Sequence, residues 1–403
     1  MDDTRDRTPS TPLSPIGIIG GGQLAWMMAD AATHLGLELR VQTPHGDDPA
    51  VARVGTNGWV AGGIADPVAT ERLATACQVI TFENELVDLE ALGRLEQRGV
   101  RFRPKLAAIA PILDKYHQRQ FLQTIGLPVP PFAALTYDGD EDRTTWEDGS
   151  AIAFPIVLKT RRHGYDGQGT FVIPDRATLG RVWERLDRQP VLIEAFIPFE
   201  RELAALAARS PEGDVMVYPI VETQQDHQVC TRVIAPAPIS PTAAAEADRI
   251  ARAIVEKLDG VGMFAVELFL AHGDRVLVNE IAPRTHNSGH FSIDACHTSQ
   301  FEQHLRAVAG LPLGDGAMHC TGAVMVNLLG FEHSRSDYGD RRTAIAQAIP
   351  SARVHWYGKT SASPGRKLGH VTVPAATANP TELLAIARRI EQIWYPDGVP
   401  PAK

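Results

Sequence analysis

The strongest constraint on the fold is a pair of apolar segments, Met263 to Leu270 and Arg275 to Ile281, joined by the tight turn Ala271 to Asp274. Antiparallel pairing about this turn predicts a β-hairpin with Glu267 and Glu280 side by side on one face. Two carboxylates placed in this way repel each other and are poorly solvated unless a cation neutralises them. Mg²⁺ bound to nucleotide phosphates does this, because it takes one or two protein carboxylates. A salt bridge to Arg or Lys is the structural alternative.

A glycine-rich segment follows a lysine in the middle of the chain. Lys159 ends the predicted strand 156–159, and residues 161–169 read RRHGYDGQG. Glycines allow a loop to close over a polyphosphate with its amides pointing inward, while a lysine supplies a point charge to the phosphoryl oxygens. The sequence therefore predicts a phosphate-binding loop, and an exposed hairpin with a charged face is the alternative.

A dense polar run, residues 282–290, comes directly after Glu280 and contains a guanidinium, two imidazoles, an amide and a hydroxyl. Such a run is either an exposed loop or a binding surface. Arg284 could hold bicarbonate or a transferring phosphoryl group with its planar fork. His286 and His290 have no third metal ligand at the usual spacing, so no zinc site is predicted.

The N-terminal part alternates strands and helices, which predicts a doubly wound parallel sheet. The apolar run 16–19 is followed by glycines 20–22 and a helical pattern, which fits the dinucleotide motif G-x-G-x-x-A through Ala25. A dinucleotide enzyme also needs an acid after the second strand to hold the ribose, and here that strand ends with VQT at residues 41–43. NAD binding is therefore disfavoured, and the turn either contacts another phosphorylated ligand or is purely structural.

Two further segments have ligand-binding chemistry. Residues 194–197, EAFI, could offer backbone groups and an apolar wall to a purine, and Glu202 could accept hydrogen bonds from ribose hydroxyls. An ordinary buried strand with an exposed acid explains the same residues. Lys359 and the pair 366–367 flank a Ser/Gly/Pro loop, which suits a phosphate monoester or is simply an exposed basic loop.

Composition excludes several classes of protein. The chain has 403 residues, too many for one ordinary core, so two or three domains are expected. A net charge of −9 argues against a nucleic-acid partner, and no apolar run approaches the roughly 18 residues of a membrane span. The four cysteines form no CxxC pair, so a cytoplasmic protein without disulfides is predicted. Residues 1–14 lack the pattern of a signal peptide and predict a disordered leader.

In their order along the chain, these segments resemble the ATP-grasp superfamily, and more narrowly the ATP-dependent 5-(carboxyamino)imidazole ribonucleotide synthase family. The most diagnostic stretch is EIAPRTHNSGH, residues 280–290. The resemblance implies carboxylation of the exocyclic amine of 5-aminoimidazole ribonucleotide through carboxyphosphate, in de novo purine synthesis. It also implies ATP as co-substrate, bicarbonate as carboxyl donor, Mg²⁺ or Mn²⁺ as the metal, and a homodimer.

The expected architecture is an α/β (α+β) fold of the ATP-grasp type. Its expected parts are the disordered leader (1–14), an N-terminal Rossmann-like domain with a parallel sheet (15–112), a helical connector (113–133), a small α+β lid (134–197) and a C-terminal antiparallel-sheet domain that carries the loop for the substrate phosphate (198–403).

The resemblance also assigns roles to individual residues. The residues expected to act in catalysis are Arg284, Lys159 and Tyr165, and those expected to hold the metal are Glu267 and Glu280. The expected ATP-binding residues are Lys115, Lys159, Gly164, Tyr165, Asp166, Gly167, Gln168, Gly169, Thr170, Glu194, Ala195, Phe196, Ile197, Glu202, Gln225, Asn279 and Glu280. The expected ribonucleotide-binding residues are Gln23, Leu24, Glu83, Tyr165, Asn287, Ser288, Lys359 and Arg366.

Two positions depart from the family pattern. Lys115 stands where many relatives carry arginine, which keeps the charge but loses the planar fork. Gln225 stands where relatives often carry a histidine near the nucleotide.

Three other functions use some of the same residues. A formate-dependent glycinamide ribonucleotide transformylase shares the glycine loop and the paired acids. An NAD-dependent oxidoreductase would use the motif at residues 20–25, and a nucleotide-binding regulator would bind without catalysis. The regulator is disfavoured because Lys159, Glu267, Glu280 and Arg284 are all present.

Overall fold

The computed structural model describes residues 15–136, 145–162 and 169–398. The expected leader (1–14) and most of the glycine-rich loop (163–168) lie outside these residues. Within them the strands form three sheets, two of four strands and one of nine. No helix in these ranges is long and apolar enough to cross a membrane.

The first sheet is parallel, as expected, with strand order β3-β2-β1-β4. Every residue of β1 and β4 is buried, because helices cover both faces of a doubly wound sheet. The sequence does not predict β3, since none of its three residues is buried. The elements are β1 (Ile16–Ile19), α1 (Gln23–Leu35), β2 (Leu39–Thr43), α2 (Val51–Val54), β3 (Trp59–Ala61), α3 (Pro67–Ala74), β4 (Val79–Phe82), α4 (Leu89–Gln97) and α5 (Leu106–Ile109).

The second sheet is small and antiparallel, with strand order β5-β8-β6-β7. Leu179, Val182 and Trp183 of one helix pack against it and form a separate core. It lies in the segment expected to be the lid, except that β5 begins at Phe132. The elements are α6 (Lys115–Thr124), β5 (Phe132–Leu135), β6 (Ile156–Thr160), β7 (Thr170–Ile173), α7 (Arg176–Arg185) and β8 (Val191–Ala195).

The third sheet is antiparallel and large, with strand order β14-β13-β9-β11-β12-β15-β17-β16 and β10 paired to β9. Its last three strands extend the sheet well beyond the hairpin that the sequence predicts. The elements are β9 (Phe199–Arg209), β10 (Val215–Val217), β11 (Val221–Asp226), β12 (Val229–Ala235), α8 (Pro241–Leu258), β13 (Gly262–Ala271), β14 (Arg275–Ala282), α9 (Ser292–Ala295), α10 (Gln300–Ala309), β15 (Gly322–Leu329), α11 (Gly339–Ala348), β16 (Arg353–Trp356), β17 (Lys367–Ala375) and α12 (Pro380–Trp394).

The two faces of this sheet have different neighbours. The apolar side of α8, including Ile250 and Ile254, packs on one face. The other face carries α9 through Ala295. Next to it, α10 packs against α1 of the first domain through Phe301 and Leu305. The polar residues of β13 and β14 therefore lie where the large sheet meets the other two sheets.

Candidate active site

The hairpin of β13 and β14 contains a β-bulge that decides which residues enter the site. Its turn has three residues, not the expected four, because Ala271 pairs with Arg275. With regular pairing this turn would set Glu267 opposite Asn279 and send Glu280 to the opposite face. The bulge adds one residue to β14, so that Glu267 lies opposite Glu280 as expected, with Asn279 as the inserted residue.

Lys159 is held by two oxygen atoms from different sheets. Its Nζ lies 2.7 Å from Oε2 of Glu194 and 2.9 Å from Oδ1 of Asn279. Arg119, which is buried on α6, contacts the other oxygen of Glu194 and the carbonyl of Asn279. Burial alone would raise the pKa of Glu194, but Arg119 and Lys159 together lower it to about 2. The lysine ammonium is thus fixed at the end of β6 by a buried ion-pair network.

The paired carboxylates of the hairpin differ in their charge environment. Burial raises the pKa of Glu267 to about 7, and the charges of Glu280 and Glu202 add to the effect. Burial would also raise the pKa of Glu280, but the Lys115 ammonium, which pairs with it, lowers that pKa. The amide of Asn279 lies 3.5 Å from Glu267. Carboxylate and amide oxygens of this kind fit Mg²⁺, and a cation would relieve the repulsion between the two acids.

Glu202 presents an unsatisfied oxygen on the same face of the large sheet. Burial raises the pKa of Glu202 to about 7, while a hydrogen bond from Gln225 and the charge of Lys159 oppose the rise. Its Oε2 is buried and has no hydrogen-bond partner among the described residues. A buried oxygen without a partner is costly unless a ligand satisfies it, which fits the expected contact with a ribose hydroxyl.

The segment expected to frame the adenine begins at the end of β8. Because the Glu194 side chain is held by Arg119 and Lys159, the segment 194–197 offers a purine its backbone groups rather than that carboxylate. Phe196 is 40% exposed, and Ile197 is partly buried. Ala195, which is partly buried, ends the strand opposite Ile156.

The structure describes one end of the glycine-rich loop. Gly169 has φ +82°, and a Cβ there would lie 2.2 Å from Oγ1 of Thr160, so this position requires glycine. Thr170 lies opposite Lys159 in the sheet. The remaining predicted loop residues, which lie outside the described residues, are Gly164, Tyr165, Asp166, Gly167 and Gln168.

The start of α6 is tied to the start of the same loop. Asp114 accepts hydrogen bonds from the amides of Tyr116 and His117 and so caps the helix. The same carboxylate accepts two 2.9 Å hydrogen bonds from Nε of Arg161. The Lys115 amide donates to the Arg161 carbonyl. These contacts place the Lys115 side chain, at the first turn of α6, against Glu280.

Arg284 already has an internal partner for its planar fork. Its Nε and Nη2 donate to the two carboxylate oxygens of Glu85, at 2.5 and 3.1 Å, and its Nη1 donates to the carbonyl of Thr285. An oxyanion at Arg284 must therefore compete with Glu85 or use the remaining N–H groups.

The glycine motif near the N-terminus does not leave its amides free for a phosphate. The buried Glu83 carboxylate accepts hydrogen bonds from the amides of Gly22, Leu24 and Ala25, at 2.7, 3.0 and 3.3 Å. A Cβ on Gly20 would lie 2.5 Å from this carboxylate. An internal carboxyl group thus occupies the positive end of α1, which fits the structural alternative for this turn, and a ligand contact at these amides stays a prediction.

The predicted phosphate loop of the C-terminal part contacts α1. Lys359 Nζ donates to Oε1 of Gln23 and to the carbonyl of Lys367, both at 2.7 Å. Arg366 is exposed and donates to both oxygens of Ser361. Gln23 and Lys359 therefore lie together at the contact between the first and third sheets.

The polar run after β14 folds inward. His286 Nδ1 lies 2.9 Å from the Ser288 hydroxyl, and its Nε2 lies 3.4 Å from Glu267. Asn287 and Asn327 exchange two side-chain hydrogen bonds, of 2.9 and 2.7 Å. The side chains of Asn287 and Ser288 thus already have internal partners, and His286 faces the predicted metal ligands.

Comparison with known proteins identifies the family. Three family models match successive parts of the chain: a ribonucleotide synthetase preATP-grasp domain (13–112), an ATP-grasp domain (120–301) and a phosphoribosylaminoimidazole carboxylase C-terminal domain (323–382). The N5-carboxyaminoimidazole ribonucleotide synthase of Synechococcus elongatus is 52% identical over 388 residues, which cover 95% of this chain and 96% of that protein. The chain belongs to the N5-carboxyaminoimidazole ribonucleotide synthase family.

Solved structures of this synthase family share the fold over nearly the whole chain. The Aspergillus clavatus synthase complexed with ATP has a TM-score of 0.84 and 33% identity, covering 94% of this chain and 99% of that one. The same organism's enzyme in complex with ADP and 5-aminoimidazole ribonucleotide has a TM-score of 0.84 and 32% identity, with the same coverage. The ATP-grasp fold expected from the sequence is confirmed, and the oxidoreductase and regulator alternatives are set aside.

Sequence reasoning misses two charged residues of the site in this synthase-family chain. Arg119 lies in the polar helical pattern of α6, and only its contact with Glu194 reveals it as buried. Glu85 follows β4 by three residues, and its pairing with Arg284 joins positions 199 residues apart. A buried arginine needs a buried acid, so Glu194 at the end of an apolar strand is the signal that could have suggested such a partner.

Proposed function

We propose that this chain carboxylates the exocyclic amine of 5-aminoimidazole ribonucleotide with ATP and bicarbonate, in de novo purine synthesis. The observation that carries the proposal is the meeting of Lys159, Lys115, Glu267, Asn279 and Glu280 on one face of the β13–β14 hairpin. The names of the relatives and of the ligand-bound structures support the choice of substrate.

In this proposal Lys115 and Lys159 neutralise the phosphates of ATP while bicarbonate attacks the γ-phosphorus and ADP leaves. Lys159 suits the task because Glu194 and Asn279 hold its ammonium in place, so that little reorganisation is needed during the reaction. Glu267 and Glu280 would hold Mg²⁺ or Mn²⁺, which would supply further charge neutralisation at the phosphate oxygens.

The carboxyl group then passes to the substrate amine, giving the carbamate and inorganic phosphate. Arg284 would bind the bicarbonate-derived oxyanion next to its partner Glu85. Gln23, Lys359 and Arg366 would hold the ribonucleotide at the contact between the first and third sheets. Carboxyphosphate is labile in water, so the site would have to exclude solvent during the reaction.

The test is ADP release by wild type and Glu280→Gln with ATP, Mg²⁺ and bicarbonate, with and without 5-aminoimidazole ribonucleotide. We expect strong stimulation by the ribonucleotide in wild type. In the variant the rate should fall at least about 100-fold, since a metal ligand contributes several kcal/mol of transition-state stabilisation. Glu246→Gln, which removes a partly exposed carboxylate of α8 on the opposite side of the sheet, should leave the rate unchanged.

Two results would contradict the proposal. ADP release that is indifferent to ribonucleotide and bicarbonate would leave an ATP-grasp enzyme with a different substrate. ADP release that depends on formate and glycinamide ribonucleotide would instead favour the transformylase.

We also propose the assembly and location that the family resemblance implies, a homodimer in the cytoplasm. Light scattering should give the mass of two chains rather than one. The proposed structural units are 15–112, 113–133, 134–197 and 198–403, except that the buried strand β5 crosses the boundary at residue 133. Limited proteolysis should therefore cut preferentially near residue 197, where the neighbouring residues are exposed.

A further inference from the structure

A row of polar side chains crosses three strands of the large sheet, away from the hairpin. His355 of β16 lies opposite His370 of β17, which lies opposite Asn327 of β15. Directly opposed residues share a face of a sheet, so the three side chains form a line. The two imidazole rings are stacked, with centroids 4.5 Å apart and planes at 12°.

The segment after the hairpin lies along this row. Its Asn287 pairs with Asn327, as described above. The ring of His290 lies 4.9 Å from that of His370, between centroids. Asp294 of α9 lies 2.8 Å from Nε2 of His355. The segment after the hairpin therefore runs along the row, and it places the Asp294 carboxylate next to the two stacked imidazoles.

One imidazole nitrogen of the pair has no hydrogen-bond partner among the described residues. His370 Nδ1 lies 2.8 Å from the Tyr357 hydroxyl, while its Nε2 is buried and has no hydrogen-bond partner in the part of the chain that the structure describes. The tautomer that donates Nδ1–H to the tyrosine oxygen leaves a lone pair on Nε2. Metal-bound histidines are oriented in the same way, with the second nitrogen bonded to a neighbouring group.

We propose that Asp294, His355 and His370 form a binding site for a divalent transition-metal cation such as Zn²⁺ or Co²⁺. One ligand atom from each residue lies within 4.8 Å of the others, so small movements would bring all three to about 2.1 Å from a metal ion. The site is distinct from the Glu267–Glu280 pair, and it does not depend on the proposed carboxylase activity.

The ligand set selects the class of cation. Two imidazoles and one carboxylate suit Zn²⁺, Co²⁺ or Ni²⁺, whereas Mg²⁺ prefers oxygen ligands only. The side chains of His355 and Asp294 are 22% and 14% exposed, so an ion can enter and water can complete its coordination. A bound ion would fasten α9, which follows the polar run of the active site, to β16 and β17.

The test is Co²⁺ titration of the full chain after removal of metals by a chelator, in excess Mg²⁺ to saturate oxygen-ligand sites. The visible absorption of Co²⁺ reports its coordination directly. We expect one equivalent to bind wild type with a histidine-ligand spectrum and to raise its Tm. His355→Gln should abolish the spectrum, and Asp294→Asn, which keeps the shape of the side chain, should weaken binding at least tenfold.

The chain offers a matched control in His297 and His319, an exposed pair with ring centroids 5.9 Å apart. The double variant His297→Gln and His319→Gln should bind Co²⁺ as wild type does. The proposal is overturned if wild type binds no Co²⁺, if the control double variant loses the spectrum, or if both His355→Gln and Asp294→Asn keep it. Circular dichroism shows that each variant is folded.

Discussion

Single residues of the site act through the partners that hold them. Glu194 joins two buried cations, Arg119 and Lys159, and neither cation has another carboxylate within ion-pair distance among the described residues. Its carboxylate therefore holds Lys159 in place and is not free to contact an adenine. Removing this carboxylate would leave buried charges unpaired. This lowers the free energy of unfolding by more than the loss of a surface salt bridge does.

We predict that Glu194→Gln lowers the free energy of unfolding by about 3–5 kcal/mol and raises the KM for ATP. The first effect follows from two uncompensated buried cations, and the second from a mobile Lys159. Urea unfolding and steady-state kinetics measure the two effects. Glu391→Gln is the control. Glu391 lies on α12, is as buried as Glu194, and pairs with Arg232 of β12, away from Lys159. It should lose stability with an unchanged KM, and an equal rise in KM for both variants would contradict the prediction.

Among the secondary-structure elements, the start of helix α6 positions both Lys115 and the beginning of the glycine-rich loop. Asp114 caps it and also holds Arg161 at the beginning of the glycine-rich loop, so that one carboxylate sets both the helix start and the loop base. Lys115 reaches Glu280 only if this first turn is in place. Helix α7 has a similar cap in Asp175, which accepts from the Thr178 amide and has no hydrogen bond or ion pair with a described residue of the site.

We predict that Asp114→Ala and Asp175→Ala each lower the free energy of unfolding by about 1–2 kcal/mol through loss of a helix cap. Only Asp114→Ala should also raise the KM for ATP, because it releases Arg161 and Lys115. Thermal unfolding and ATP titrations of the two variants side by side check this. If both variants bind ATP as wild type does, the link between the cap and the site is wrong.

Across the whole molecule, a buried histidine joins the first and third sheets. The Met263 amide of β13 donates to Nδ1 of His304, and Nε2 lies 2.8 Å from the hydroxyl of Thr81 on β4. Because Nδ1 accepts, the neutral ring carries its proton on Nε2. Burial lowers the pKa of His304 to about 4. The folded state therefore resists protonation of this ring.

A group with a depressed histidine pKa contributes stability above its unfolded pKa of about 6.5 and loses it as the pH falls towards its folded pKa. For His304 the loss between pH 6.5 and 4 is about 3 kcal/mol. We predict that the destabilisation caused by His304→Gln shrinks by about this amount over that range, as measured by urea unfolding at several pH values. A destabilisation by His304→Gln that stays constant over this pH range would refute the assignment.

Local pattern was sufficient for some of the elements and for the family. The apolar runs of β1, β4, β13 and β14 and the glycines after β1 predict the parallel sheet and the hairpin, because hydrophobic period and turn chemistry depend on neighbouring residues. The ATP-grasp type follows from the resemblance of the charged motifs, in their order, to a known family. The last three strands of the large sheet carry no such isolated motif, and the sequence does not predict their place in it.

Contacts between distant segments decided how the site residues are used. A single inserted residue in β14 sets Glu280 and Asn279 on the face of Glu267. Glu83 fills the helix end that the glycine motif predicts for a phosphate. Such outcomes depend on which buried charges pair with each other, because desolvation makes an unpaired charge costly. The partners are brought together by folding rather than by their spacing in the sequence.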